Sequence, residues 1–112
     1  VRYYPYLKGD PESKAHELYD IALTAFRKDD LKLAEDYLRK AISYYPKFSD
    51  AYEALGVMLG RQERYPEAII LMEKLTEVDP DSSMAHTNLS LFLMKVGKIE
   101  EAENQKSMAT LK

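Results

Sequence analysis

The sequence predicts an all-α protein, a solenoid of three helix–turn–helix units. Three observations carry this. The stretch Tyr65 to Pro80 is apolar on more than one face of a 3.6-residue helix, so it needs neighbours on several sides. Its pattern recurs at a step of 34 residues: Ala34, Ala68 and Ala102 hold that step, as do Ile21, Leu55 and Leu89, then Ala25, Leu59 and Leu93, then Leu31, Tyr65 and Ile99, and Pro46 and Pro80. The 112 residues are 46% hydrophobic with only four glycines and five prolines, which leaves room for one domain with a core and long helices.

In chain order, Gly9-Asp10-Pro11 reads as a turn before the first helix. Lys14 to Lys28 is that helix, with Leu18, Ile21, Ala22 and Ala25 on one face. Asp29 and Asp30 turn the chain, and Asp30 is placed to cap the second helix. Leu31 to Tyr45 is the second helix, with an inward stripe of Leu31, Ala34, Leu38, Ala41 and Ile42, and Pro46 ends it. Asp50 to Gln62 is the third, with Tyr52, Leu55, Gly56 and Leu59 inward. The fourth starts at Tyr65, and Pro66 sits in its first turn, where proline costs little. Met84 to Val96 is the fifth, stopped by Gly97. Ile99 to about Leu111 is the last.

This pattern resembles the tetratricopeptide repeat family over Ala15 to Lys112, in three repeats, 15–48, 49–82 and 83–112. The second fits best: Tyr52, Leu55, Gly56, Leu59, Ala68, Met72, Leu75 and Pro80 stand at the family's spacing. The resemblance implies a right-handed α-solenoid. Ala22, Gly56 and Ser90 form one small-residue column and Ala34, Ala68 and Ala102 another, where paired helices come closest. The sequence departs from the family at Ala22 and Ala25, at His86 in a usual aromatic position and at Lys106 in a usual apolar one. Glu103, Gln105 and Lys106 replace Ile69, Leu71 and Met72, which predicts that the last helix is its own solvent cap.

Residues 1–14 stand outside the repeat as an aromatic N-terminal extension with Tyr3, Tyr4, Tyr6 and Leu7 around Pro5. Its expected place is over the exposed face of the first helix pair; the alternatives are the groove of this or another copy, and a disordered, tag-like arm. The first residue is Val, so the chain reads as a trimmed or processed fragment.

The resemblance implies that the first helix of each repeat lines a concave groove. In columns, this sequence gives that groove an apolar floor of Leu23, Val57 and Leu91, then Phe26, Gly60 and Met94, beside the cations Arg27, Arg61 and Lys95. Tyr19, Glu53 and Thr87 form a further column, and Asn88 adjoins it; His16, Asp50 and Met84 lie at the edge. The missing side chain of Gly60 is expected to leave a small pocket between Phe26 and Met94. Some members of the family clamp the C-terminal carboxylate of a chaperone tail with lysines and asparagines. The matching positions here are Tyr19, Leu23, Ala54, Met84 and Asn88, and only Asn88 fits, so chaperone-tail binding is not predicted.

Other classes find little support. The net charge of −3 argues against nucleic acid, and no run of about 18 apolar residues suggests a membrane span. The sequence shows no signal peptide, and a soluble, cytoplasmic location is the default expectation. Without cysteine there is no disulfide frame or thiolate nucleophile. His16 and His86 belong to different repeats, and no phosphate loop or metal-spaced cluster is visible, so no catalytic residue, cofactor or metal is predicted. Tyr37, Tyr44, Tyr45 and Tyr52 follow helical spacing and read as packing rather than base-stacking groups. The predicted function is a non-enzymatic scaffold that binds a protein or peptide with apolar anchors and acidic flanks. The alternative is a homo-oligomerisation module that uses the N-terminal arm or the groove.

Overall fold

The computed structural model describes residues 9–111, and of Leu111 the backbone alone. Among the described residues there are six helices and no strand: α1 (Pro11–Arg27), α2 (Leu31–Tyr44), α3 (Ser49–Arg61), α4 (Tyr65–Val78), α5 (Ser83–Lys95) and α6 (Ile99–Leu111). They form three helix–turn–helix pairs. The chain divides into two compact units, one ending at Ala51 and the other starting at Tyr52.

In the first unit α1 packs on α2. The helix begins at Pro11, three residues before the expected Lys14. Gly9, Asp10 and Pro11 are therefore the helix start itself. Gly9 has a φ of +91°, Asp10 accepts a hydrogen bond from the Ser13 amide at 2.9 Å, and Pro11 supplies a preset φ at the first position. That bond holds the Asp10 carboxyl below its ordinary pKa. Ala15, Leu18, Ala22 and Ala25 of α1 are buried with Ala34, Leu38 and Ala41 of α2. Ile21, expected on the inward face, is exposed. Phe48, ahead of α3, is buried beneath the rings of His16, Tyr19 and Tyr45, with centroids 4.4, 5.0 and 5.7 Å away. The tyrosines of α2 are packing groups here: Lys14 lies over the Tyr44 ring at 5.8 Å, and Lys40 over Tyr37 at 5.0 Å.

In the second unit α4 packs on α5 and α5 on α6. Tyr52, Leu55, Met58 and Leu59 of α3 are buried, as are Ala68, Met72 and Leu75 of α4. The terminal methyl of Met72 lies where a side chain at Gly56 would begin, so α3 and α4 touch at the small-residue column. Ile70 departs from the expectation of an all-round apolar helix: it is the most exposed large apolar side chain of α4. Burial, reinforced by the Glu77 carboxylate, pushes the Tyr52 phenol above its ordinary pKa. The folded state therefore holds that proton more tightly, and this contribution is present below about pH 10 and lost as pH rises further.

The pair α5–α6 is joined differently. Ser83 Oγ donates to the Ala109 carbonyl at 3.4 Å, and Ser90 Oγ donates to that of Ala102 at 2.7 Å. Between them His86 is buried, 3% exposed, with Nδ1 2.7 Å from Gln105 Oε1 and Nε2 3.3 Å from the Pro80 carbonyl. Both partner atoms are oxygens that accept, so the shorter contact makes Nδ1–H the donor to Gln105 Oε1. Gln105 is thus half-buried and partnered rather than a solvent cap, whereas Glu103 and Lys106 are exposed as expected.

The turns within pairs repeat as faithfully as the helices. Asp29, Glu63 and Gly97, 34 residues apart, have φ of +62°, +59° and +85°. After each, an amide reaches back to a carbonyl five residues earlier: Asp30 to Ala25 at 2.9 Å, Arg64 to Leu59 at 3.0 Å, Lys98 to Leu93 at 2.9 Å. Only the third site has the glycine that this left-handed conformation favours. Glu63→Gly is expected to stabilise the fold by about 0.5–1 kcal/mol, and Gly97→Ala to cost about as much. A Cβ at Gly97 meets nothing within 4 Å, so any loss there is backbone strain alone. Urea unfolding of both variants checks the pair of signs.

Candidate functional site

Six of the groove residues expected from sequence are brought together in the second unit. Val57, Gly60 and Arg61 of α3 and Asn88, Leu91 and Lys95 of α5 line one cleft, with a cavity volume of about 270 Å³. Helical spacing makes this arrangement: on α3 the interval from Val57 to Arg61 is four residues, and on α5 that from Leu91 to Lys95 is four, so an apolar residue and a cation share a face on each helix. Val57 and Leu91 are exposed, Leu91 by half. Arg61 and Lys95 are exposed beside them, and Asn88 is half-buried.

Tyr65 and Phe92 complete the lining. Both are absent from the sequence-based set. Tyr65 stands at the repeat column that opens α4, and Phe92 is buried next to Leu91, so neither lies on the faces that the columns marked. The signal that could have found Phe92 is Gly60. A Cβ on Gly60 would lie 2.6 Å from Phe92 Cε1 and 2.8 Å from Cζ. The expected pocket between Phe26 and Met94 is therefore corrected: an aromatic ring from α5 takes the space that Gly60 leaves. The Tyr65 ring stands 6.0 Å from that of Phe92 at 36°, and the opening forms in front of the two rings.

The other expected residues stand apart from the cleft. Met94 is exposed, Thr87 is exposed and Glu53 is half-buried, and none of them lines it. In the first unit Tyr19, Leu23 and Phe26 are half-buried on α1, with the Tyr19 ring on Phe48. Arg27 is exposed and donates from Nη2 to Thr24 Oγ1 at 3.3 Å. Chemically, the cleft offers an apolar floor, an amide and two cations. Among the described residues no group of three or more His, Cys, Asp or Glu side chains could hold a metal ion.

The sequence profile of the tetratricopeptide repeat matches residues 19–83. The chain belongs to the tetratricopeptide repeat family. Comparison with curated proteins gives no match. Among solved structures the repeat chain is similar to a crystal structure of MamA, with 26% identity and a TM-score of 0.82 over 86% of this chain and 56% of MamA. It thus spans about half the length of MamA. The fold is also shared with the TPR2B domain of yeast Sti1, solved as a complex with pHsp70: 23% identity, TM-score 0.78, 85% of this chain and 76% of that one. The first tetratricopeptide domain of Spaghetti (RPAP3), bound to the HSP90 peptide SRMEEVD, matches at 15% identity and a TM-score of 0.81, covering 88% and 78%. Tetratricopeptide domains are protein-interaction modules. No helix among the described residues is long and apolar enough to cross a membrane.

The Gly60 contact can be tested by substitution. Gly60→Ala gains about 1 kcal/mol of helix propensity and loses about 1–3 kcal/mol to overpacking against a ring with little freedom. A net loss of up to about 2 kcal/mol is expected. In Gly56→Ala the obstacle is the end of a flexible Met72 side chain, and the expected change is under about 1 kcal/mol. Thermal unfolding of the two variants side by side measures the difference.

Proposed function

We propose that this tetratricopeptide chain is a scaffold that holds a peptide segment of a partner protein, with the cleft between α3 and α5 as an anchoring point. The observation that carries the reading is the combination of exposed Val57 and Leu91 with Arg61 and Lys95 around one opening. Its volume of about 270 Å³ falls just under the roughly 300 Å³ at which small-molecule sites begin. That size suits one or two side chains of a longer ligand. The partner segment places an apolar residue against Val57, Leu91, Phe92 and Tyr65, and acidic residues beside Arg61 and Lys95. Asn88 offers a hydrogen bond to its backbone.

The peptides held by the Sti1 and Spaghetti domains support a peptide as the ligand class. A chaperone tail is disfavoured, because Tyr19, Leu23, Ala54 and Met84 stand where the family's carboxylate clamp needs lysines and asparagines. Tyr19, Leu23, Phe26 and Arg27 repeat the apolar-plus-cation chemistry on α1, and they, with Glu53, Thr87 and Met94, are proposed as further contact positions. One or two anchors at about 1.5–3 kcal/mol each, less the cost of ordering the peptide, correspond to about millimolar binding from this cleft alone, so tighter binding needs the further contact positions. The exposed cations each add about 0–1 kcal/mol and act chiefly on selectivity.

Reversal of both charges, Arg61→Glu with Lys95→Glu, is expected to weaken an apolar–acidic peptide roughly tenfold or more, while Lys74→Glu on α4 leaves it unchanged. Fluorescence anisotropy with a labelled peptide library at low and high salt reads this. A selected peptide whose affinity ignores the double reversal removes the cleft from the site. The exposed apolar side chains Leu91 and Met94 could equally seat a second copy of the chain. Light scattering separates that reading, since a mass that stays at 12.9 kDa with rising concentration excludes it.

A further inference from the structure

The first helix pair has an open apolar face that its counterparts do not share. Ile21, Leu55 and Leu89 occupy one repeat column; Leu55 is 0% and Leu89 3% exposed, yet Ile21 is 36% exposed. Leu33, at the start of α2, is 40% exposed, whereas the matching positions of the later pairs are Glu67 and Glu101. An exposed apolar side chain at a position that is charged in both sister repeats marks a contact surface. Ile21, Ala25 and Leu33 floor a depression of about 540 Å³ on α1 and α2. Its rim is Asp20, Thr24, Lys28 and Asp30, all exposed. The expected cover, the aromatic extension with Tyr3, Tyr4, Tyr6 and Leu7, lies outside the described residues.

The charges on the rim decide what fits. Asp20 stands at one end of the depression and Lys28 and Asp30 at the other, about 12 Å away along α1 at 1.5 Å per residue. At the turn end the Asp30 carboxylate already accepts the Leu33 amide at 3.3 Å, and Lys28 offsets its charge. Asp20 has no such neighbour. Among the described residues it is in no ion pair, and exposed Glu17, three residues earlier, adds a second carboxylate on the same side of α1. The later repeats hold Ala51 and Ala54, then Ala85 and Asn88, in these two columns, so the negative end belongs to the first pair alone. Thr24 likewise stands where Met58 and Phe92 are buried. A whole helix laid across α1 would bury Asp20, Thr24 and Lys28 with the floor, at a cost in desolvation. A short segment that covers the floor leaves them wet.

We propose that this depression is a second docking surface, for a short peptide segment of a partner that is apolar and basic. An aliphatic side chain of the segment sits on Ile21, Ala25 and Leu33, and a lysine or arginine meets Asp20 and Glu17. The long stem of such a residue lies along Ile21 while its charged head stays in water beside the carboxylates. Lys28 sets the direction, since a basic residue at the turn end meets like charge. The preference in charge is the reverse of that in the cleft of the second unit, where Arg61 and Lys95 stand beside Val57 and Leu91. One chain thus carries two faces that sort segments by sign. The depression is built by the first pair alone and acts whether or not the cleft is a site.

Methyl NMR of the full chain with two short-peptide libraries tests this. One library sets leucine or isoleucine between lysines; the other has glutamate in place of lysine. Lysine peptides are expected to shift the Ile21 and Leu33 methyls and to leave those of Val57 and Leu91 in place. A selected lysine peptide is expected to bind Leu33→Gln roughly fivefold more weakly and Asp20→Lys about threefold more weakly. Both positions are exposed, and the sister repeats carry glutamate at the first, so the variants keep the fold. The methyl shifts decide without any variant. Lysine peptides that bind nowhere, or that shift only the cleft methyls, would overturn the proposal. Glutamate peptides that shift Ile21 and Leu33 as strongly would overturn it too. So would a mass that climbs with concentration in the full chain and stays at 12.9 kDa in Leu33→Gln, which assigns the face to a second copy.

Discussion

Everything in this fold depends on how closely two helix backbones can approach. At the crossing of each pair the sequence allows a methyl group, a hydroxymethyl group or nothing: Ala22 with Ala34, Gly56 with Ala68, Ser90 with Ala102, the alanines all buried. Larger side chains there would separate the helices and strand the leucines and methionines that fill the space on either side. The contact of Gly56 with the Met72 methyl and the bond from Ser90 to the Ala102 carbonyl are two answers to the same restriction. One fills the vacated volume with a flexible thioether. The other converts proximity into a hydrogen bond. Once the crossing is fixed, the turns are fixed with it, which is why positive φ recurs at Asp29, Glu63 and Gly97 whether or not glycine is there. Tertiary packing holds two non-glycine residues in a conformation that costs them about 1–2 kcal/mol each.

The fold was largely legible because its information is one-dimensional. A period of 34 and an apolar stripe locate five of the six helix starts to within a residue. The exception, Pro11, comes from treating Gly-Asp-Pro as a turn when an Asp cap and a proline at the first position are also how a helix begins. What could not be read were partnerships across helices. His86 and Gln105 look like two separate departures from the repeat pattern; in space they are one interaction, a buried ring and the amide that serves it. A column compares a residue with its counterparts, not with what it touches.

The cleft shows the same division. Faces of α3 and α5 could be assigned from spacing, and they supply six of its eight lining residues. The two rings could not, because Tyr65 belongs to α4 and Phe92 is a buried residue whose ring lies against Gly60. A glycine on a helix face reads as an absence in sequence, while in the structure it marks where a neighbour intrudes. The cleft thus has a buried aromatic back, Phe92 with Tyr65 beside it, and exposed cationic lips. Under the proposed peptide-binding role, shape selectivity would reside in Tyr65 and Phe92, and charge selectivity in Arg61 and Lys95.

The polar seam of the last pair has a bearing on alignment. Two helices packed through apolar side chains alone can be seated in registers one turn, about 5.4 Å, apart. Ser83, His86 and Ser90 break that degeneracy. Their partners Ala109, Gln105 and Ala102 run in the opposite order along α6. Hydrogen bonds tolerate displacements of a few tenths of an ångström, so a slip of one turn would break all three at once. The seam works as a set of pawls: it contributes little pull, but it permits α6 only one seat.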